Sequence, residues 1–201
     1  MLCLNRKPCR HSGSPAMYNY SFQKLGLDYV YLAFDIKEED TSKAINALRL
    51  LNVKGFNITM PGKTAALSCC DELSKAAQLI GAVNTVVNEN GKLIGHNTDG
   101  LGWVRNCREH GFEIRGKKMT IAGSGGAATA IEITSALEGM SEISIFARKD
   151  TFFANAEATV EKIRRHVSGC RVNLYDLEDR DLFYHEIEDQ SYFHQLPPGW
   201  E

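Results

Sequence analysis

The sequence has 201 residues, of which 43% are hydrophobic and 24% are charged, values typical of a globular protein. Its 23 Lys and Arg against 25 Asp and Glu give a formal charge of −2, which argues against nucleic acid or an anionic membrane as a partner. No apolar run approaches the roughly 20 residues of a membrane-spanning helix, and the first residues show no signal-peptide pattern. Six cysteines without a Cys-x-x-Cys pair predict free thiols, no metal site and a cytoplasmic location.

The first half of the chain predicts short helices mixed with strands. Ser14 followed by Pro15 marks a helix start with Ser14 as its N-cap, and residues 29–36 have the aromatic and β-branched content of a buried strand. Residues 83–95 predict two strands joined by a hairpin, because their Asn-Gly pair favours positive φ. Hydrophobic spacing predicts the elements between them, namely a helix over 40–51, a strand over 55–60 and helices over 65–67 and 71–80.

After a helix over residues 99–110 the pattern changes to a strict alternation of strands and helices. The strands are predicted over 118–122, 142–146 and 171–175, and the helices over 125–137 and 151–167. This alternation is typical of a parallel sheet with crossover helices. We therefore predict an α/β protein with an N-terminal α/β lobe over 1–98 and an incomplete doubly wound (Rossmann) lobe over 99–183. Residues 184–201 show no useful periodicity and are expected to form an aberrant or disordered tail.

A glycine-rich run, Gly123-Ser124-Gly125-Gly126-Ala127, opens the helix that follows the strand over 118–122. Glycine lets the backbone approach a pyrophosphate, and the N–H groups at a helix N-terminus favour its negative charge. The run matches only the first two glycines of G-x-G-x-x-G, so an ordinary glycine-rich turn is the alternative interpretation. The strand before it and the helix after it favour a dinucleotide-binding turn.

Arg148, Lys149 and Asp150 follow the next strand, where the adenosine ribose of a dinucleotide should lie. Arg148 and Lys149 suit a 2′-phosphate, whereas Asp150 suits ribose hydroxyls. The sequence therefore leaves NADP and NAD both open, and a solvated charged loop is the alternative.

Amide, hydroxyl and carboxylate side chains gather at two backbone corners, over residues 81–85 and 95–100. This composition suits a small polyhydroxylated molecule. Lys63 follows a Pro-Gly turn, and with Asp99 as its partner it can act as an acid–base pair toward a hydroxyl or a ketone. Most lysines are solvated surface charges, so the interpretation depends on the pairing with Asp99. Beside a dinucleotide-binding turn, such a pocket predicts a dehydrogenase.

Five motifs resemble those of the shikimate dehydrogenase family in order and spacing. They cover residues 8–15, 57–63, 81–85, 97–100 and 123–127, within a similarity that runs from about Leu4 to about Leu182. Met60 and the segment over 148–153 look closer to the quinate/shikimate dehydrogenase branch. The resemblance implies a substrate-binding N-terminal lobe and a nucleotide-binding C-terminal lobe.

The resemblance also implies an activity and a set of site residues. The activity is the interconversion of shikimate and 3-dehydroshikimate, or of quinate and 3-dehydroquinate, by hydride transfer with NADP or NAD. The resemblance implies that Ser12 and Ser14 bind the substrate carboxylate. It implies that the ring hydroxyls are bound by Thr59, Lys63, Asn84 and Asp99, and that Lys63, assisted by Asp99, exchanges the hydroxyl proton.

The end of the chain departs from the family pattern. The family continues through further strands to a final helix that carries a glutamine ligand, and none of this is recognisable after Leu182. The alternative hypothesis is therefore a C-terminally truncated, non-catalytic member that binds substrate or cofactor weakly. A two-lobed dehydrogenase of the folate-pathway type is disfavoured by the loop of Ser12 and Ser14. The oligomeric state stays open, with a homodimer as the expectation.

Overall fold

The computed structural model describes residues 2–6, 12–150 and 153–188. The chain divides into two compact units, residues 1–98 and residues 99–201. Both units are α/β, which confirms the predicted fold class. In the described part of the chain no helix combines the length and the apolar character needed to cross a membrane.

The first unit contains a mixed six-stranded sheet. The elements of this unit are β1 (Leu2–Arg6), α1 (Ser14–Lys24), β2 (Tyr31–Asp35), α2 (Thr41–Leu50), β3 (Gly55–Ile58), β4 (Glu72–Leu73), α3 (Lys75–Ile80), β5 (Thr85–Glu89) and β6 (Lys92–His96), with 3-10 helices at Glu38–Asp40 and Ala65–Cys69. The strand order is β2-β1-β3-β5-β6-β4. Strand β1 pairs in parallel with both β2 and β3, whereas β5 is antiparallel to β3 and to β6.

The core of this unit forms where α2 packs against the sheet. Ile45 and Leu48 lie one helical turn apart on α2 and join a buried cluster with Phe56 and Ile58 of β3. Gly95 of β6 packs against Cys70, which contacts the same cluster, and an added Cβ at Gly95 would come within 2.8 Å of the Cys70 Sγ. The sheet therefore has room only for glycine at this position.

Several expectations for the first unit are wrong in detail. The strand expected to be buried over 29–36 is the edge strand β2, in which Leu32 and Phe34 are exposed. Residues 71–80 were expected to form one helix, but β4 pairs with β6, and the Ser74 N–H donates to the Gly95 carbonyl at 2.9 Å. Helix α3 begins only after Ser74, whose hydroxyl accepts the Ala77 N–H. At α1, the N-cap residue is Gly13 instead of Ser14, which already has helical geometry.

Strand β2 is held at the edge of the sheet by helix α1. The side-chain amide of Asn19 donates to the Tyr31 carbonyl at 3.0 Å and accepts the Tyr31 N–H at 2.7 Å. The ring of Tyr31 stacks on that of Tyr18 with 4.6 Å between centroids, and Phe22 packs beside them. The Tyr31 side chain is thereby fixed in a small aromatic cluster.

The second unit contains a parallel three-stranded sheet. Its elements are α4 (Asp99–Glu109), β7 (Lys118–Ala122), α5 (Gly126–Leu137), β8 (Glu142–Ala147), α6 (Phe153–His166), β9 (Arg171–Asp176) and α7 (Arg180–Glu188). The strand order is β7-β8-β9. Helix α4 packs closely on α5, since an added Cβ at Gly100 would lie 2.2 Å from the Ala130 carbonyl oxygen. The alternating strands and helices expected over 118–175 are all present.

A buried carboxylate joins the amino ends of the three parallel strands. Glu142, at the start of β8, is 7% exposed. It forms ion pairs with Arg171 of β9 and with Lys118 of β7, and it accepts a hydrogen bond from Asn173 at 3.0 Å. These contacts fix the register of all three strands at one end of the sheet.

The irregular tail expected from residue 184 is not observed over 184–188, which complete α7. The helix is anchored on the sheet, since the ring of Phe183 packs against Phe146 with 5.0 Å between centroids. Glu186 accepts a hydrogen bond from the Ser144 hydroxyl at 2.7 Å. Such anchoring depends on tertiary contacts that the local sequence does not reveal. Residues 189–201 lie outside the described part.

Candidate functional site

Asn84 lies at the turn that leads into β5. Helix α3 ends at Gly81, whose φ of 77° is left-handed and suits glycine. The Asn84 backbone is then fixed on both sides, since its N–H donates to the His96 carbonyl at 3.0 Å and its carbonyl accepts the Ile58 N–H at 2.8 Å. The residue is 8% exposed. The turn thus holds a nearly buried amide side chain between β3 and β6.

Thr59 and Lys63 lie beside this turn. Thr59 directly follows Ile58, and its carbonyl accepts the Gly62 N–H at 3.0 Å in the turn that leads to Lys63. The Lys63 carbonyl accepts the Val83 N–H at 2.9 Å, and the lysine is half-buried. Three predicted substrate-site residues, Thr59, Lys63 and Asn84, are therefore brought together by backbone hydrogen bonds.

The Asn84 side chain belongs to a polar cluster whose members lie in the predicted motifs, but whose mutual hydrogen bonds the sequence did not reveal. Its Oδ1 accepts hydrogen bonds from the Thr85 hydroxyl at 3.0 Å and from the Thr98 N–H at 3.0 Å. The Thr85 hydroxyl in turn accepts from the Asn57 amide at 3.1 Å. Asn57 and Thr85 are register partners in β3 and β5. A polar pair on adjacent strands of the expected sheet was the available signal.

Ser12 and Ser14 flank the start of α1. The Ser14 N–H donates to the Ser12 hydroxyl at 3.3 Å, so the two serines share one tight turn. Both are partly exposed. Residues 8–11 of the same motif lie outside the described part.

Asp99 is placed in the second unit, where it is the first residue of α4 and is exposed. A carboxylate in the first turn of a helix is stabilised by the helix dipole. Its expected partnership with Lys63, which lies in the first unit, stays a prediction.

The glycine-rich turn follows β7 as expected. Gly123 has a φ of 118°, a conformation that side chains disfavour, and its N–H donates to the Phe146 carbonyl at 2.8 Å. An added Cβ at Gly123, Gly125 or Gly126 would meet no atom within 4 Å, so the turn leaves open space over its backbone. Ser124 lies within the turn, and Ala127 continues α5. An open backbone at the start of a 12-residue helix fits a pyrophosphate.

The loop of Arg148, Lys149 and Asp150 follows the adjacent strand β8, and all three residues are exposed. The Lys149 Nζ lies 3.2 Å from a carboxylate oxygen of Asp176, at the end of β9. The Glu178 N–H and then Lys149 hold the pKa of Asp176 below its usual value. The glycine-rich turn follows β7 and this charged loop follows β8, so both lie at the carboxyl ends of the parallel strands.

Glu132 is a second feature that sequence reasoning missed. It is the single charged residue in α5, its exposure is 0%, and burial raises its pKa to about 8. Within the described residues neither of its carboxyl oxygens has a hydrogen-bond partner, and the same is true of the Thr134 and Ser135 hydroxyls. A lone acidic residue in a helix without any other charged side chain was the available sequence signal.

Comparisons with known proteins place both units in one family. The family model described as the shikimate dehydrogenase substrate binding domain matches residues 4–86. The shikimate dehydrogenase (NADP(+)) of Listeria innocua is 53% identical over 186 residues, which cover 92% of this chain and 64% of the relative. That of Streptococcus uberis is 46% identical over 195 residues, which cover 96% of this chain and 66% of the relative.

Solved structures agree with these relatives. Shikimate 5-dehydrogenase from Listeria monocytogenes, in complex with shikimate and NAD, superposes with a TM-score of 0.91 at 52% identity and covers 94% of this chain and 65% of its own. The 5-ketofructose reductase of a Gluconobacter strain, without ligand, gives a TM-score of 0.81 at 32% identity and covers 87% and 61%.

The described part of the chain defines a protein of two α/β units, the first matching a substrate-binding domain model and the second with Rossmann-type strands and helices and a glycine-rich turn. The chain belongs to the shikimate dehydrogenase family. It spans about 64% of the length of the Listeria relative.

Proposed function

We propose that this chain is an NAD(P)-dependent oxidoreductase that interconverts shikimate and 3-dehydroshikimate, with quinate and 3-dehydroquinate as the second substrate pair. The observation that carries the proposal is the joining of Thr59, Lys63 and Asn84 by backbone hydrogen bonds in the unit that matches the substrate-binding family model. Relatives at about half identity are named shikimate dehydrogenases, and one was crystallised with shikimate.

In the proposed reaction Lys63 exchanges a proton with the substrate hydroxyl. Oxidation of the alcohol removes one hydride from the ring carbon and one proton from the hydroxyl oxygen. Lys63 Nζ takes that proton and returns it in the reverse direction, and Asp99 assists by stabilising the ammonium. Thr59 and Asn84 orient the ring hydroxyls, and Ser12 with Ser14 holds the carboxylate through hydroxyl donors.

The second unit supplies the residues that fit a nicotinamide dinucleotide. Its pyrophosphate fits the open turn from Gly123 to Ala127, and its ribose end fits the loop from Arg148 to Asp150. When bound, the nicotinamide ring exchanges the hydride with the substrate. Lys149 is paired with Asp176, so a 2′-phosphate would compete with this carboxylate for the lysine. NADP and NAD both remain candidates, because Arg148 suits the former and Asp150 the latter.

Absorbance at 340 nm tests the activity directly. Purified chain is mixed with shikimate or quinate and with NADP or NAD, and Lys63→Ala is measured beside it. We expect turnover with shikimate that falls by at least about 100-fold in the variant, since it removes an acid–base group. A folded chain that binds shikimate but does not turn it over would favour the non-catalytic alternative, and a chain that binds neither substrate would contradict the proposal.

For the assembly we propose a homodimer formed through strand β2. This strand lies at the edge of the described sheet, and Leu32 and Phe34 on one of its faces are 39% and 38% exposed. Identical edge strands can pair across a twofold axis, which extends the sheet and covers these side chains. Light scattering after size exclusion should give twice the chain mass, and Phe34→Glu should give a monomer. A monomeric wild-type chain would contradict the dimer.

We also propose that the protein works in the cytoplasm. The described cysteines, Cys69, Cys70, Cys107 and Cys170, are all free thiols, as expected in a reducing compartment. Fractionation of cells that express the tagged chain tests this location, and recovery from an oxidising compartment with its cysteines paired would contradict it.

A further inference from the structure

An ion pair in the second unit joins the carboxyl ends of β8 and β9. Ala147 and Asp176, the last residues of these strands, are register partners, and the Leu177 N–H donates to the Ala147 carbonyl at 3.0 Å. Lys149 follows in the loop after β8, and its Nζ lies 3.2 Å from the Asp176 Oδ2. The pairing of the two strands therefore sets Asp176 beside the loop that is proposed for the ribose end of the dinucleotide.

The Asp176 carboxylate is held by the backbone as well as by Lys149. Its Oδ1 accepts the Glu178 N–H at 3.0 Å, and its side chain is 25% exposed, against 67% for that of Lys149. The Glu178 N–H and then Lys149 keep the pKa of Asp176 below its usual value, so the group is ionised at neutral pH. Because the lysine has a flexible four-carbon stem, the fixed carboxylate determines where the ammonium lies.

The segment that continues from Asp176 is acidic. Glu178, Asp179 and Asp181 follow within one short stretch, with Arg180 as its single cation, and all four side chains are exposed. Carboxylates at the carboxyl end of β9 disfavour a second anion beside them. The segment therefore adds to the negative charge that Asp176 places next to the loop.

The two forms of the cofactor differ at one position of the adenosine ribose. NAD has a neutral 2′-hydroxyl there, whereas NADP has a 2′-phosphate that carries a charge of about −1.5 to −2 at pH 7. To bind this phosphate, Lys149 has to leave Asp176, and the carboxylate stays nearby because the Glu178 N–H holds it. The phosphate thus gains the lysine only at the expense of an existing ion pair and against repulsion from a like charge.

We propose that Asp176 is a positioning residue that withholds Lys149 from a 2′-phosphate, so that the chain binds NAD more tightly than NADP. The inference rests on the proposed function, because it takes the loop over 148–150 as the site of the adenosine ribose. Arg148 is a second cation of this loop, so NADP binding is weakened and not abolished. Cofactor preference is thereby set in part by a residue of β9 that does not belong to the predicted site.

The test is Asp176→Asn in the full chain. The asparagine retains an acceptor oxygen for the Glu178 N–H and removes only the charge. The first measurement is the Kd of NAD and of NADP by calorimetry. We expect the Kd of NADP to fall about 3- to 10-fold, the range of one partly exposed charge contact, and the Kd of NAD to change by less than about 2-fold.

Two further variants separate the ion pair from net charge. Asp181→Asn removes the same charge in the first turn of α7 and is the matched control, which should change the Kd of NADP by less than about 2-fold. In a Lys149→Gln background, Asp176→Asn should lose most of its effect, because there is then no lysine to release.

The second measurement needs no dinucleotide. The side-chain NMR signals of Lys149, assigned from their loss in Lys149→Gln, are followed while inorganic phosphate is added. We expect these signals to respond at lower phosphate concentration in Asp176→Asn than in the wild-type chain, because the ammonium is no longer paired. Asp181→Asn should respond as the wild-type chain does.

The outcomes separate the two proposals. A wild-type chain that binds NADP more tightly than NAD would overturn the inference, as would an equal gain in NADP affinity with and without Lys149. A wild-type chain that binds neither dinucleotide would overturn the proposed function, while the phosphate titration would still decide whether Asp176 withholds Lys149. An equal response of the Lys149 signals in Asp176→Asn and in the wild-type chain would show that it does not.

Discussion

The two units differ in the side chains that carry a buried polar atom without a described partner. In the first unit, a side chain with a buried unpaired atom is held by other bonds. An example is Arg49, whose buried Nε lacks a described partner while its two other nitrogens bond to Asp71 and to the Cys69 carbonyl. In the second unit, the polar atoms of Glu132, Thr134 and Ser135 all lack a described partner. The first unit builds a polar site within its core, whereas α5 of the second carries polar groups at a cost in stability.

This difference separates a polar side chain that is fixed by its neighbours from polar groups that only weaken packing. The Asn84 amide is fixed by three donors, so its orientation is maintained before any ligand binds. The Glu132 carboxyl group is buried without such partners, and it avoids a buried charge by staying protonated up to about pH 8. The fixed Asn84 amide thus lies in the first unit, and the unpaired Glu132 carboxyl group lies in α5 of the second.

The largest predicted effect is at Glu132. Its pKa is about 4.5 in the unfolded chain and about 8 in the folded chain. Below pH 4.5 both forms are protonated and the group causes no pH dependence. Between these values only the unfolded chain ionises, so stability falls by about 1.4 kcal/mol per pH unit and then levels off above pH 8. Hydrogen exchange of the second unit from pH 5 to pH 8 should show this loss, which reaches about 3 to 5 kcal/mol.

Two variants separate charge from polarity at this position. Glu132→Gln removes ionisation and should flatten the pH dependence, and Glu132→Leu should in addition raise stability at pH 8 by a few kcal/mol. Other carboxyl groups of the unit with shifted pKa values, Glu113, Glu142 and Asp176, have them lowered, so they titrate below this window. A wild-type profile that is flat from pH 5 to pH 8 would contradict the prediction.

A smaller loss is expected at Asn88 in the first unit. This side chain is 5% exposed, and its Oδ1 accepts the Gly91 N–H at 2.7 Å in the hairpin between β5 and β6. Asn88→Ala leaves that donor unpaired and should lower the free energy of unfolding by about 1 to 3 kcal/mol. Denaturant unfolding gives this value, and Thr134→Val, which removes a hydroxyl without a described partner, should be neutral or stabilising. An equal loss in both variants would erase the contrast between the units.

The smallest expected changes in stability are those of two serine-to-alanine variants. The Ser74 hydroxyl accepts the Ala77 N–H at the start of α3, and Ser74→Ala should cost about 1 kcal/mol. Ser135, buried in α5 without a described partner for its hydroxyl, should change stability by less than about 0.5 kcal/mol in Ser135→Ala. Thermal unfolding of both variants measures the difference, and a larger loss for Ser135→Ala would show that its hydroxyl is paired.

Local pattern was sufficient for much of this fold. Hydrophobic spacing predicts the helix that follows the glycine-rich turn and the strands on either side of it. The family motifs predict Lys63 and Asn84 as residues of the substrate site. Two features required the tertiary structure. The segment over 71–80 has helical spacing, yet pairing of β4 with β6 delays the helix until Ser74. Hydrogen bonds through Asn57 and Thr85 join Tyr31 to Asn84, which lies 53 positions later in the sequence.

The carboxylate that joins the three parallel strands has a consequence for how this protein can change. Glu142 ties Lys118 and Arg171 at the amino ends of the strands, whereas the glycine turn and the charged loop lie at the carboxyl ends. Register is therefore secured at the end remote from the proposed nucleotide site. Substitutions and insertions around Arg148 can accumulate without a slip of the strands. The cofactor preference of such a sheet can drift between related proteins while its architecture stays the same.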